Sequence, residues 1–82
     1  MKKIINGRKY DTDTARKVCE WEVDGHTAAV YRKETGEYFW WRDPSWLGGA
    51  AICPMCEEIA RGYCEWHMSV DDYEAEFGEV EE

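Results

Sequence analysis

The chain has 82 residues, of which 10 are basic and 18 acidic, giving a net charge of −8 at neutral pH. That length makes one domain with no room for two cores, and an aromatic share of 15% excludes an intrinsically disordered chain. The acidic balance excludes the ordinary nucleic-acid binder, which is basic, and speaks to partners and solubility rather than to fold.

The charge is unevenly divided. Residues 57–82 carry ten acids against Arg61 alone, while residues 1–56 carry nearly equal numbers of acids and bases. A dense negative field on one segment repels nucleic acid and attracts basic surfaces, although a solvated helix face with an acidic tail has the same composition.

At the N-terminus, Met1-Lys2-Lys3-Ile4-Ile5-Asn6-Gly7-Arg8 has an apolar run of only two residues, which does not read as a signal peptide. No stretch reaches the length of a membrane span. The expectation is a cytoplasmic protein whose cysteines, Cys19, Cys53, Cys56 and Cys64, sit in a reducing compartment without disulfides.

Asn6-Gly7 after Ile4-Ile5 predicts a hairpin with a type I′ turn, returning through Arg8 to Tyr10. Asp11 to Thr14 are cap and turn formers, and a single helical turn through Ala15 and Arg16 is expected. Cys19, Trp21 and Val23 alternate with Glu20, Glu22 and Asp24, the pattern of a strand with one wet face. Asp24-Gly25 turns the chain, with His26 at an exposed hairpin tip, and Thr27 to Lys33 forms the next strand. Glu34-Thr35-Gly36 turns it again into the β-prone Glu37 to Arg42. Asp43-Pro44-Ser45 ends this meander, Trp46-Leu47-Gly48-Gly49 is a loop, and Ala50 to Cys53 is a last short strand.

Pro54 is placed at the first position of a helix, in which Met55, Ile59, Tyr63 and Trp66 recur at helical spacing and form the packed face. Ser69 caps a second short helix with Asp71 and Asp72 in its first turn, Tyr73 and Phe77 inward, and Gly78 as its stop. The fold class expected is α+β: a small twisted antiparallel meander with one or two C-terminal helices packed on one face. The single domain 1–82 divides into a sheet over 1–53, a helical acidic segment over 54–78 and a mobile acidic tail over 79–82.

Cys53-x2-Cys56-x7-Cys64-x2-His67 has the ligand types of a Cys3His zinc centre, which would staple a small domain. A continuous helix from Met55 to Met68 is incompatible with it. Cys56 and His67 would lie about 16 Å apart along the axis, whereas metal–ligand bonds span about 2.0–2.3 Å. Zinc requires a break at Gly62; the amphipathic period through the spacer favours the intact helix and no metal.

Other chemistry is absent from the pattern. Gly48-Gly49 is too little for a phosphate loop. Cys64 and His67 are helical neighbours without an orienting residue, so no enzyme and no cofactor are expected. Trp40, Trp41 and Trp46 have the types of a base-stacking platform but not the basic surroundings that one needs.

Two segments carry a resemblance. Ile4 to Ala15 resembles the opening of a family of small proteins of phages and bacterial mobile elements, and Asp72 to Glu82 is similar to how those proteins close. Gly48 to Trp66 also fits, whereas the loop from Asp43 to Gly49 is shorter. In that family pattern the positions of Cys53, Cys56 and Cys64 are not usually cysteine, so zinc would be private to this chain. Some such proteins act as anti-CRISPR proteins. The resemblance therefore implies a non-enzymatic inhibitor in the host cytosol, with a type I system as the suggested target.

The function expected is DNA mimicry. Glu57, Glu58, Glu65, Asp71, Asp72, Glu74, Glu76 and Glu79 would occupy the basic nucleic-acid-binding surface of a CRISPR effector subunit, with no direct nucleic acid and no membrane. The alternatives are a zinc-stapled adaptor using Cys53, Cys56, Cys64 and His67, and a small regulator of the mobile element.

Overall fold

The computed structural model describes residues 1–46 and 48–80. Leu47 of the expected loop, and Glu81 and Glu82 of the expected tail, lie outside the described residues. Strands β1 (Lys2–Ile5) and β2 (Arg8–Asp11) form a separate antiparallel hairpin. Strands β3 (Arg16–Val23), β4 (His26–Arg32), β5 (Tyr38–Arg42) and β6 (Ala51–Met55) form a four-stranded antiparallel meander in sequential order. Helices α1 (Glu57–His67) and α2 (Val70–Phe77) follow, so the fold is α+β.

Turn chemistry fixes the two tight hairpins. Asn6 and Gly7 have φ of 51° and 76°, and Asp24 and Gly25 have φ of 51° and 80°. These are the paired left-handed conformations that match the twist of the flanking strands. Between β2 and β3 the Ala15 N–H bonds to the Asp11 carbonyl at 3.0 Å, and the Asp11 carboxylate accepts from the Asp13 N–H at 2.9 Å. That is one local turn; Arg16 already pairs with Arg32, so no helical turn extends through it.

The meander separates two cores, because successive side chains leave opposite faces of each strand. On one face Ala29, Tyr31, Phe39 and Ile52 pack with Tyr10 of the hairpin. Tyr31 and Phe39 stack at 5.3 Å, and Tyr10 meets Phe39 edge-on at 5.5 Å. On the other face Cys19, Val30 and Tyr38 pack beneath Ala60 and Cys64 of α1. A register shift between Lys17 and Cys19 leaves Val18 outside the ladder, and both Val18 and Trp21 join this second cluster.

Pro54 does not start the helix. It lies within β6 opposite Phe39, and Met55 pairs with Tyr38. β6 is the outer strand of the sheet, where a proline's missing donor costs no ladder bond. The helix begins at Glu57, with Cys56 as its N-cap.

The packed face of α1 also differs from the sequence expectation. The fully buried positions are Ala60 and Cys64, while Ile59, Tyr63 and Trp66 are 54%, 40% and 87% exposed. Small residues let the helix backbone approach the sheet, which already supplies bulk from Val30, Tyr38 and Trp21. The larger apolar side chains are left outward.

α2 follows expectation. The Ser69 hydroxyl accepts from the Asp72 N–H at 3.2 Å, Tyr73 and Phe77 turn toward the sheet, and Gly78 ends the helix at φ 94°. Glu76 ties it down. Its carboxylate meets Arg16 at 2.6 Å and Arg32 at 3.1 Å and accepts from the Tyr38 hydroxyl at 3.3 Å, with the side chain only 6% exposed. The Arg16 guanidinium, followed by Arg32, holds the Glu76 carboxyl below the usual glutamate range. Burial, with Glu76 adding to it, pushes the Tyr38 phenol up to about 12.

A depressed glutamate stabilises the fold fully above its unfolded value of about 4.3, and that contribution is lost as the pH falls through the folded-state value. Glu76→Gln is expected to lower the unfolding free energy by about 1–2 kcal/mol at pH 7, discounted for the exposure of Arg16. Urea denaturation should show the gap between the two proteins closing as the pH is taken well below 4.3; equal acid sensitivity in both would contradict the role given to Glu76.

Candidate functional site

The acidic candidates lie on α1, α2 and the residues that follow, and the structure divides them by role. Glu57 and Glu58 occupy the first turn of α1, where the helix dipole favours acids. Glu57 is paired one turn on with Arg61 at 3.4 Å. Glu58 and Glu65 are seven positions apart, two turns of helix, so both project from nearly the same solvent-facing line. Asp71 and Asp72 are exposed in the first turn of α2. Glu79 is exposed just past Gly78.

Two candidates belong to the fold instead. Glu76 is the buried anchor between Arg16 and Arg32 rather than an exposed carboxylate. Its spacing in sequence gave no sign of this, because both arginines come from the sheet, at the ends of β3 and β4. Glu74 is half-buried and accepts from the Val80 N–H at 3.0 Å, drawing the segment after α2 back onto the helix. Among the described residues, Glu58, Glu65, Asp71, Asp72 and Glu79 make no ion pair.

Some bases of the sheet region are engaged with its own acids. Arg8 and Lys33 meet Glu37, and Lys17 meets Glu20. The five exposed acids of the helical segment form a negative region that makes no ion pair among the described residues, four of them on α1 and α2 and Glu79 just beyond. Side chains displayed that way keep a fixed arrangement that a disordered tail lacks.

The cysteines fall into two environments. α1 runs unbroken through Gly62, and Cys64 points into the core, its sulfur 3.5 Å from that of Cys19. Cys53 and Cys56 are exposed, one in the middle of β6 and the other at the N-cap of α1. His67 stacks flat on Trp21 at 4.1 Å between ring centroids. The four groups of the Cys3His spacing thus face different surroundings, and among the described residues no three metal-ligating side chains come together. Burial pushes the Cys64 thiol up to about 12 and raises that of Cys19.

The tryptophans form no platform. Trp40 and Trp41 leave opposite faces of β5, and Trp41 meets Tyr31 edge-on at 6.4 Å. The Trp46 indole N–H donates to the Thr27 carbonyl at 2.9 Å, and its ring lies 5.3 Å from that of His26. His26 in turn lies 2.8 Å from the Ser45 hydroxyl, so the loop after β5 folds over the β3–β4 tip and leaves the histidine half-buried.

Sequence reasoning missed the outward apolar residues of α1, having assigned Ile59, Tyr63 and Trp66 to the core. Their helical spacing was visible; the signal that redirects them is Ala60 and Cys64, a second and smaller apolar pair one turn apart. No helix among the described residues is long and apolar enough to cross a membrane. No family model matches the chain, and neither does any curated protein or solved structure.

Alkylation of the native protein under reducing conditions is expected to modify Cys53 and Cys56 alone, with Cys19 and Cys64 reacting only in denaturant; intact mass counts the adducts. Cys53→Ser with Cys56→Ser should change stability by less than about 0.5 kcal/mol, whereas Cys64→Ser places a hydroxyl in an apolar core and should cost about 1–3 kcal/mol. A mass increment of zinc that chelator removes, or rapid labelling of Cys64, would overturn this assignment.

Proposed function

We propose that the chain is a non-enzymatic protein inhibitor that presents a fixed acidic surface to a basic nucleic-acid-binding surface, and that the surface it blocks belongs to a CRISPR effector. The observation that carries the reading is the concentration of Glu58, Glu65, Asp71, Asp72 and Glu79 on the helical side, unpaired among the described residues, while Arg8, Arg16, Lys17, Arg32 and Lys33 of the sheet region are engaged with other acids. The choice of a CRISPR effector rests on the resemblance of the two chain ends to the anti-CRISPR-containing family.

The mechanism is occlusion. Duplex DNA carries about one negative charge per 1.7 Å of axis, and its binders meet it with rows of Lys and Arg. Carboxylates held on α1 and α2 engage such a row in place of phosphates. Because they stand on folded helices rather than a disordered chain, less ordering entropy opposes binding than a free acidic tail would incur. The contact is electrostatic at its rim, so it steers association and weakens with salt.

The variant Glu58→Lys, Glu65→Lys, Asp71→Lys, Asp72→Lys is expected to bind the effector at least tenfold more weakly and to restore DNA binding, with unchanged circular dichroism. A pull-down from lysate of a CRISPR-bearing bacterium, eluted in salt steps, should release the nucleic-acid-binding subunit at moderate salt. If the four-fold reversal inhibits as well as the parent, the occlusion reading fails.

A further inference from the structure

We infer that the outward apolar stripe of α1, Ile59, Tyr63 and Trp66, is the anchor by which a basic partner surface with an apolar floor docks on this protein. The inference takes the sign of the partner's charge from the acidic-surface reading above; the stripe itself stands on separate observations.

The stripe is contiguous. Ile59, Tyr63 and Trp66 follow one another at intervals of four and three, which places them on one side of the helix. A single exposed apolar side chain needs no explanation, but a row of them marks an interaction surface. Trp66 is the extreme case, 87% exposed on a folded helix. Tyr63, by contrast, is held by stacking on Trp21 at 5.6 Å, so part of the row is already rigid.

The surroundings extend the surface. Gly62 lies between Ile59 and Trp66 on one side and Glu58 and Glu65 on the other, and space above it is open. The notch lets an inserted side chain reach the flanks of both apolar residues. Beside Glu65 an open groove of about 260 Å³ has apolar walls from Met68, Val70, Tyr73 and Val80, with Glu65 and Glu74 at its edges. The groove shares Glu65 with the border of the stripe but is lined by none of Ile59, Tyr63 and Trp66, so it is a second apolar surface on the same helical segment.

The acids select the occupant. Glu58 and Glu65 flank the stripe across the Gly62 notch, and Asp71 and Asp72 open the next helix. A second copy laid on the stripe would set these carboxylates against the same carboxylates, which opposes self-association. A surface with Lys or Arg around apolar side chains meets both features at once. Buried aromatic anchors with a polar rim are the usual source of affinity at interfaces, and tryptophan is the residue most enriched among them.

The test uses two labelled probes read by anisotropy at physiological salt: an amphipathic helical peptide of Leu and Lys, and an oligolysine of equal charge. The parent protein should prefer the amphipathic peptide. Ile59→Ser with Trp66→Ser should weaken that peptide about tenfold or more, while oligolysine binding and the thermal midpoint stay unchanged, since both side chains are outward. Trp66→Ser alone repeats the test at the most exposed position. Undiminished binding of the amphipathic peptide by the stripe variant, with loss on acid reversal, overturns the stripe inference and leaves the acidic reading standing. Loss on the stripe substitution, with none on acid reversal, overturns the acidic reading and with it the basic partner. A dimer by analytical ultracentrifugation that Trp66→Ser dissolves would assign the stripe to a second copy and overturn the inference.

Discussion

The contact on which the molecule depends is the close approach of α1 to the meander through Ala60 and Cys64. Both positions are fully buried, and neither carries a side chain long enough to hold the helix away from Val30 and Tyr38. With bulk supplied by the sheet and little by the helix, the two surfaces interlock at short range, as close-packed interiors require. The same choice orients everything else on α1. Turning Ala60 and Cys64 inward places Ile59 and Trp66 outward and Glu58 and Glu65 beside them.

The second helix is held by different means. Phe77 lies against Tyr38, with ring centroids 5.8 Å apart, and the Arg61 guanidinium from α1 sits over the Phe77 ring at 5.2 Å. Glu76 adds the contact with Arg16 and Arg32. A carboxylate nearly removed from water stabilises the fold only when its charge is met, and here two guanidinium groups and a phenol meet it. One acid of a strongly acidic segment therefore fixes the segment to the sheet, and in doing so leaves its acidic neighbours directed at solvent.

These two attachments together connect fold to function. The hairpin covers one face of the sheet and the helices the other, so the excess of acids over bases falls on the helical side of the molecule. The charged residues and the apolar stripe are neighbours on that side. On the function proposed above, an acidic surface alone would attract any basic protein, whereas one with an apolar row beside it would discriminate, because only a partner with matching apolar ground gains from burying Trp66.

Local chemistry was legible in the chain. Asn6-Gly7 and Asp24-Gly25 dictated their turns because few other residues tolerate positive φ. The alternation of Cys19, Trp21 and Val23 marked a strand, and Ser69 and Gly78 bounded α2. The division of charge was equally plain. Pro54 misled because its helix-starting preference is local, while its place in β6 is set by pairing with Phe39. The face of α1 misled for the same kind of reason. Helical periodicity shows that a stripe exists, but two stripes were present, and the larger one was not the buried one. Which stripe faces inward is decided by the volume left above the sheet, and that volume depends on side chains from β3, β4 and β5. The role of Glu76 has the same origin, since Arg16 and Arg32 come from strands 60 and 44 residues away along the chain. The sequence by itself determined turns, periods and the sign of the charge, because these are properties of neighbours. Only the tertiary structure decided which apolar row is core, which acid is buried and which cysteines meet, because those depend on space and charge supplied from afar.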